Sequence, residues 1–570
     1  MCGIVGYIGS RDSVPILLKG LKRLEYRGYD SAGIALIQNK TLSYLKKAGK
    51  VSQLQSLVDD STMKGSIGIA HTRWATHGEP NDINAHPHVD HTGKIALVHN
   101  GIIENFGALK QVLEDQGIAF TTETDSEVLV QLISALYYNG NTITFEEAVR
   151  GALQEVVGAY GIVAVCADEP ETLIAARLGS PLVLGIGEDE YFLGSDASPI
   201  VEYTRNVIYL DDGEMVKLTS GKHVISNIHS KVLVTKKLSA IDLSIEEIEK
   251  GEFPHYMLKE IHDQKTSISD TMRGRLNLDD GTTNLGGIAD HIPNLLSASR
   301  IYITACGTSW HAGLIGKHLI EDYAQIPVHV EYASEFRYRN AIIDSNTVLI
   351  AISQSGETAD TLAVLRYFNQ QKGETLGIIN SAESSIAREC NNVIETHAGP
   401  EIGVASTKAF TTQLVALGAL TLFMANFNKT MGGNEINKLS NVLLEAPGHI
   451  SKILKMDNIF HKTATNIKNA KNILYIGRGT NYPIALEGAL KLKEISYIHA
   501  EGYPAGEIKH GPIALIEKGV PVIVIAPSDQ LIDKTISNVE EVLSRGAKII
   551  FISDKKGIKK INNKKITTIC

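Results

Sequence analysis

The chain has 570 residues, room for three or four domains with substantial cores. Hydrophobic residues make up 43% and charged residues 21%, the balance of an ordinary globular chain rather than a disordered or fibrous one. A net charge of -9 argues against nucleic acid or an anionic membrane surface as the main partner, the Lys-rich stretch 555–565 being read as a solvated segment.

The N-terminus, Met-Cys-Gly-Ile-Val-Gly, lacks the basic region of a signal peptide. A first helix opens at Ser13-Val14-Pro15, with Ser13 expected as N-cap and Leu17, Leu18, Leu21 and Leu24 on one face. A second runs from about Asn105 to Gly117 with Phe106, Leu109, Val112 and Leu113 inward, and a third follows Asp125. Apolar runs at 162–165, 173–176 and 182–186 have the spacing of an antiparallel meander. Helices early and strands late predict an α+β first half. The polar segment 239–251 reads as a linker.

Beyond it the grammar changes. Strand-like runs at 301–304, 328–331, 348–353 and 376–379 alternate with helical stretches at 310–323 and 361–370, the signature of βαβ units on a parallel sheet. The most apolar run, 414–427, is too short to span a bilayer. An internal repeat is visible: Thr308 and Thr480, Glu335 and Glu507, and Ser355 and Ser528 keep one spacing to within a residue, which predicts a duplicated α/β domain.

Five cysteines (Cys2, Cys166, Cys306, Cys390, Cys570), without Cys-x-x-Cys spacing, exclude a disulfide scaffold or zinc ribbon and suit a reducing cytoplasm. Cys2 becomes the first residue if Met1 is removed. It is then either a free thiol near a frayed end or a nucleophile whose own α-amine serves as base, the two groups titrating near 8 and 8.5. His86, His88 and His91 are close in sequence, but Pro87 makes the segment a loop and no further ligand completes a set, so no metal and no cofactor are expected. The loop 353–358, Ser-Gln-Ser-Gly-Glu-Thr, follows an apolar strand and precedes a helix. Its hydroxyls and backbone N–H groups can cradle an anion. No Walker-type loop is present, and Gly477-Arg-Gly479 is followed by Tyr482 where a dinucleotide fingerprint needs its third glycine.

The Met-Cys-Gly-Ile start resembles the class II (N-terminal nucleophile) glutamine amidotransferases, together with the motifs at 26–33 (Tyr-Arg-Gly-Tyr-Asp-Ser-Ala-Gly), 71–78 (His-Thr-Arg-Trp-Ala-Thr-His-Gly), 99–105 (His-Asn-Gly-Ile-Ile-Glu-Asn) and 124–127 (Thr-Asp-Ser-Glu). That resemblance implies an αββα sandwich over residues 2–240 and a glutaminase. In it Cys2 attacks the glutamine amide, Asn100 and Gly101 supply oxyanion donors, and Arg73 and Asp125 hold the α-carboxylate and α-ammonium. Thr76 and His77 line the pocket, Arg27 orients the N-terminal end and Trp74 sits on a lid.

The loop 353–358, the repeat, and the motifs 305–309, 401–408, 485–494 and 506–512 resemble a pair of sugar-isomerase (SIS) domains. They are expected at 287–430 and 459–570, after a linker and helical lead-in at 241–286. The whole order resembles the glutamine–fructose-6-phosphate aminotransferase (isomerising) family, which makes glucosamine 6-phosphate and glutamate for UDP-N-acetylglucosamine synthesis, passing ammonia internally. By that resemblance Thr308, Ser309, Ser353, Gln354, Ser355, Thr358, Val404 and Ser406 hold the sugar phosphate, Glu487 contacts the sugar, and Glu494 beside Lys491 shuttles the proton between C1 and C2. His510 opens the ring and reaches a neighbouring subunit's site, which implies a homodimer. The second repeat lacks the hydroxyl loop, having Ala526-Pro527-Ser528-Asp529, so one phosphate site per chain is expected. The family's tail, Asp-Gln-Pro-Arg-Asn-Leu-Ala-Lys, with its Schiff-base lysine, has no match before Cys570. The expectation is the family's full reaction, glutamine-dependent amination and isomerisation of fructose 6-phosphate. The alternatives are a glutaminase-only form, in which glutamine hydrolysis persists without aminated sugar because the tail lysine has no match, and a non-catalytic SIS sugar-phosphate sensor.

Overall fold

The computed structural model describes the chain except residues 1, 26, 27, 29, 75–77, 141, 242–248, 277–282, 286, 287, 289–294, 296, 562 and 564. Two compact units divide it, Met1–Gly251 and Glu252–Cys570.

In the first unit, β1 (Gly3–Ile8) is an inner strand. Helix α1 (Ser13–Leu24) leads to β2 (Ser31–Gln38) and, further on, β3 (Ile67–Arg73). β1 pairs antiparallel with β3, Gly3 opposite Thr72 and Ile8 opposite Ile67, and β3 pairs in turn with β2. A second sheet contains β4 (Ile95–Ile103), β5 (Gly158–Cys166) and β6 (Leu173–Leu178), antiparallel to one another in that order. The side chains of Ile4, Ile8, Ile37 and Ile69 from one sheet meet Val98, Val163, Val165 and Leu173 from the other in a shared core. α2 (Asp125–Tyr137) and α3 (Phe145–Glu155) cover the outer face of the second sheet, where Leu129, Ile133, Phe145 and Val149 pack on Ile95, Leu97 and Ile162. α1 covers the first sheet so closely that a Cβ on Gly20 would lie 2.8 Å from Val5. This is the expected four-layer αββα sandwich.

Three local readings change. The N-cap of α1 is Asp12, whose carboxylate accepts from the Val14 N–H; Ser13 lies inside the helix and donates to the Gly65 carbonyl. The helix Phe106–Asp115 buries Leu113 but leaves Val112 54% exposed. The meander breaks after β6: Val183–Ile186 joins the first sheet, against Tyr191–Gly194, because the chain crosses over at Gly179, where φ is +76°, and at Pro181, which has no N–H for the ladder.

The second unit opens with α4 (Tyr256–Met272) and then repeats one design twice. In the first lobe β7 (Arg300–Ala305), α5 (Gly307–Leu319), β8 (Val328–Tyr332), β9 (Thr347–Ser353), α6 (Ala359–Gln370), β10 (Glu374–Ile379) and β11 (Asn392–Glu395) form a parallel sheet in the order β8-β7-β9-β10-β11. α7 (Lys408–Phe427) follows. In the second lobe β12 (Asn472–Gly477), α8 (Asn481–Ser496), β13 (His499–Pro504), β14 (Pro521–Ile525), α9 (Ile532–Ser544), β15 (Lys548–Ile552) and β16 (Thr567–Ile569) give the order β13-β12-β14-β15-β16. The two orders correspond strand for strand, as a duplication requires.

Both faces of each sheet are buried, which explains the continuous apolar runs. Along β9, Val348, Ile350 and Ile352 face a core shared with Leu417, Leu420 and Phe423 of α7, while Leu349 and Ala351 face Leu362, Leu365 and Phe368 of α6 and its surroundings. α7 has the length and composition to cross a membrane, yet most of it is packed inside this unit as a core helix.

Ile350 has no exposed surface, so Ile350→Ala is expected to cost about 2–5 kcal/mol in urea-induced unfolding. Val442→Ala, at a site 56% exposed, is expected to stay within about 0.5 kcal/mol.

Candidate functional site

Cys2 stands immediately before β1, and the strand ends around it supply its surroundings. The Trp74 backbone, just past the end of β3, holds the sulfur from both sides: its N–H donates to Cys2 Sγ at 3.2 Å and its carbonyl accepts the thiol at 3.5 Å. Burial pushes the thiol above its ordinary value, opposed by the Trp74 N–H and the nearby Arg73 charge, which favour the thiolate. The Trp74 ring is 38% exposed.

Asn100 and Gly101 lie on β4, across the sandwich from β1. Asn100 Nδ2 donates to the Cys2 carbonyl at 3.0 Å. Gly101 has φ +135°, and a Cβ there would lie 1.9 Å from the Ala159 carbonyl oxygen, so only glycine fits. Arg73, 4% exposed at the end of β3, places Nη1 and Nη2 each 3.4 Å from the carbonyls of Glu79 and Gly78. Burial lowers its pKa, and the charges of Cys2, Asp30 and Asp125 counteract this. Asp125 opens α2, accepting the Ile103 N–H at 2.9 Å, while Thr124 caps the helix. A guanidinium near the thiol, with a carboxylate near that guanidinium, suits a zwitterionic amino acid. Arg27, Thr76 and His77 lie outside the described residues.

The three loop histidines do not stay together. His91 turns to Gln131, its Nδ1 2.9 Å from Oε1. His86 instead stacks on His71 at 4.1 Å between ring centroids and meets His88 edge-on at 4.4 Å. Burial holds His71, His86 and His88 neutral, pushing His71 down to about 3 and His86 and His88 well below their ordinary value.

In the second unit the loop 353–358 leaves β9 and opens α6. Ser353 Oγ accepts the Gly356 N–H at 2.9 Å and lies 3.1 Å from Thr358 Oγ1, and Ser355 Oγ accepts the Glu357 N–H at 3.2 Å. The Glu357 carboxylate is tied to the N–H and hydroxyl of Ser385. Gly356, at φ +65°, admits no side chain, because a Cβ would lie 1.9 Å from Ser384 Oγ. Gln354 is part-exposed beside them. Val404 is 50% exposed, and Ser406 donates to Glu401 at 2.7 Å. Ser309 is buried, with its hydroxyl bound by Gln413 Nε2 at 3.0 Å.

A polar network crosses between the lobes. Thr308 of α5 donates to Glu487 Oε1 at 3.0 Å and accepts from Lys491 Nζ at 2.9 Å. Lys491 lies 3.4 Å from Glu487 and 2.7 Å from Glu494, all on α8 at i, i+4 and i+7. His311 Nδ1 meets Glu487 Oε2 at 2.6 Å, both residues being buried. Sequence reading missed His311, although its i+3 spacing from Thr308 puts the two on one helix face. His510 is exposed in the turn after Ala505–Glu507 and is not hydrogen-bonded into this network.

The matching loop in the second lobe is already occupied. The Ser528 N–H donates to Asp554 Oδ2 at 2.7 Å, and Asp554 Oδ1 accepts the N–H groups of Lys556 and Gly557 at 2.7 and 3.1 Å. Those bonds hold the Asp554 carboxyl well below the usual range; it caps the helix Lys555–Lys560 and also takes the Ser528 N–H of the loop, placing a negative charge where an incoming anion would bind.

Comparison with known proteins agrees with this division of labour. A glutamine amidotransferase domain family matches residues 58–253, and the SIS domain family matches 294–423 and 466–567. The glutamine–fructose-6-phosphate aminotransferase [isomerizing] of Chlorobaculum tepidum is 54% identical over 558 residues, 97% of this chain and 90% of that protein. Its counterpart in Thermococcus kodakarensis is 46% identical over 99% of this chain and 92% of its own length. Among solved structures, the C-terminal domain of glucosamine-fructose-6-phosphate aminotransferase from Francisella tularensis superposes with a TM-score of 0.55 and 43% identity, covering 56% of this chain and 90% of that one. The class is a glutamine amidotransferase domain followed by paired SIS domains. The chain belongs to the glutamine–fructose-6-phosphate aminotransferase (isomerising) family.

The stacked histidines imply a pH limit. They are neutral when folded and titrate near 6.5 when unfolded, so the unfolded chain binds protons that the folded one does not. Their contribution is complete above about pH 6.5 and is lost as pH falls toward 3, by about 1.4 kcal/mol per pH unit for each histidine. Unfolding midpoints measured from about pH 7.5 to 5 are expected to fall, and a flat profile would contradict neutral burial.

Proposed function

We propose that this chain transfers the amide nitrogen of glutamine to fructose 6-phosphate and isomerises the product to glucosamine 6-phosphate, releasing glutamate. The observation that carries the reading is the joint arrangement in one chain: Cys2 held between Trp74 and Asn100 in the first unit, and a hydroxyl loop with the Thr308–Glu487–Lys491–Glu494 network in the second.

In this reading, removal of Met1 frees the Cys2 α-amine to take the thiol proton. The sulfur attacks the glutamine amide carbon, and ammonia leaves once the amine returns a proton to nitrogen. Negative charge on the former carbonyl oxygen is met by Asn100 Nδ2 and the Gly101 N–H. Arg73 and Asp125 hold the two charged ends of glutamine, with Arg27, Thr76, His77 and Trp74 completing the pocket. Water then releases glutamate.

Ammonia is the nitrogen source for the sugar. Ser353, Gln354, Ser355 and Thr358 bind its phosphate at the start of α6, with Thr308, Ser309, Val404 and Ser406 around it. Glu494 carries the proton between C1 and C2, Lys491 supports its negative charge, Glu487 contacts sugar hydroxyls and His510 opens the ring. Exposure of His510 supports a homodimer in which it serves the partner's site. The five cysteines, all unpaired, support a cytoplasmic setting.

Cys2→Ala is expected to lower glutamate formation by at least about a thousandfold. Arg73→Ala should raise the glutamine KM about 10- to 100-fold, the worth of a charge-assisted pair. Ser355→Ala should weaken fructose 6-phosphate binding about tenfold in calorimetry. Unchanged glutamate formation by Cys2→Ala would overturn the reading.

A further inference from the structure

An asparagine amide has a donor end and an acceptor end, and only the donor end can stabilise an oxyanion. Something must therefore fix which end of Asn100 faces Cys2. Its Nδ2 is 3.0 Å from the Cys2 carbonyl, and its Oδ1 is 2.9 Å from Nε2 of His71. That same nitrogen lies 3.1 Å from the carbonyl oxygen of His99, an atom that can only accept. Nε2 of His71 must then carry the hydrogen, shared between two acceptors, and the amide oxygen must be the end that meets it. The donor end is left toward Cys2.

The rest of the ring's surroundings agree. Nδ1 of His71 has no hydrogen-bond partner among the described residues, as expected for a buried nitrogen with only a lone pair. One face of the ring is stacked on His86, itself packed edge-on against His88, and all three are buried. His71 lies on β3 and Asn100 on β4, so the contact spans the two sheets and ties the donor to the sheet that bears Cys2.

We propose that His71 is a positioning residue for glutamine hydrolysis: as the neutral Nε2–H tautomer it locks the Asn100 amide with Nδ2 toward the bond undergoing attack at Cys2. This rests on the reading of Cys2 and Asn100 given above. The second hydrogen on Nδ2 then remains for the oxygen on which charge develops.

Glutaminase kinetics test it. His71→Leu, an apolar replacement, is expected to lower kcat about 100-fold, the scale of losing one oxyanion donor, with the glutamine KM changed by less than about threefold. His71→Gln, whose amide nitrogen reaches the place of Nε2, is expected to recover kcat to within about tenfold of the parent. With Asn100→Ala already in place, His71→Leu should cost less than about threefold more, because the lock has nothing left to hold. A kcat for His71→Leu within about threefold of the parent, equal losses in the Leu and Gln variants, or the full loss again in the Asn100→Ala background would each overturn the proposal.

If His71→Leu does not fold, nitrogen-15 NMR of the histidine-labelled parent decides, with the signal assigned by its loss in His71→Gln. A proton on Nε2 supports the lock and a proton on Nδ1 overturns it. Cys2→Ala separates the two levels of argument. Activity surviving in that variant refutes the site itself, whereas a dead Cys2→Ala beside a fully active His71→Leu refutes only the lock.

Discussion

The first unit depends on β1 being an inner strand. It is hydrogen-bonded on one side to β3 and on the other to Tyr191–Gly194, with Ile4 and Val5 almost wholly buried. The Ile4 N–H reaches Ser195 Oγ and the Ile4 carbonyl receives the Ser195 N–H, both at 3.1 Å. Chain ends usually fray. Here the residues just after the end are fixed by two neighbouring strands, so Cys2 is placed with the accuracy of a core strand. The groups around it sit at other strand and helix ends, Trp74 after β3, Asn100 near the end of β4 and Asp125 at the start of α2, so sheet register sets the spacing of the site.

In the second unit the same sheet order is used twice, but the two loops that follow the central strands differ in chemistry. Hydroxyls line the first. The second closes on Asp554. Between the lobes, the buried Glu487 is bound by a histidine, a hydroxyl and an ammonium group, a set of partners that offsets the cost of burying a carboxylate. α8 can therefore turn three charged side chains toward α5 without leaving Glu487 unpaired.

Much of this was legible in the sequence, for identifiable reasons. Continuous apolar runs alternating with helices predicted the parallel lobes because those strands are buried on both faces, and the repeat was legible because Thr308 and Thr480 stand at equivalent strand-to-helix turns. What failed depended on contacts distant in sequence. Ser13 looked like a cap because Asp12 is an equally good one, and only its bond to the Val14 N–H separates them. Val112 fits the helical period but faces away from the core. The move of Val183–Ile186 to the other sheet has no local signal beyond Gly179 and Pro181. His71 stood inside a recognised motif, yet its bond to Asn100 joins two sheets and no spacing rule reports it.

Asp554 carries a consequence for molecules designed against such an enzyme. A duplicated domain invites the assumption of two equivalent berths for a phosphate mimic. A tethered carboxylate cannot diffuse away, so a freely diffusing compound must compete with its high effective concentration. Titration with a phosphomimetic inhibitor should therefore saturate at one equivalent per polypeptide.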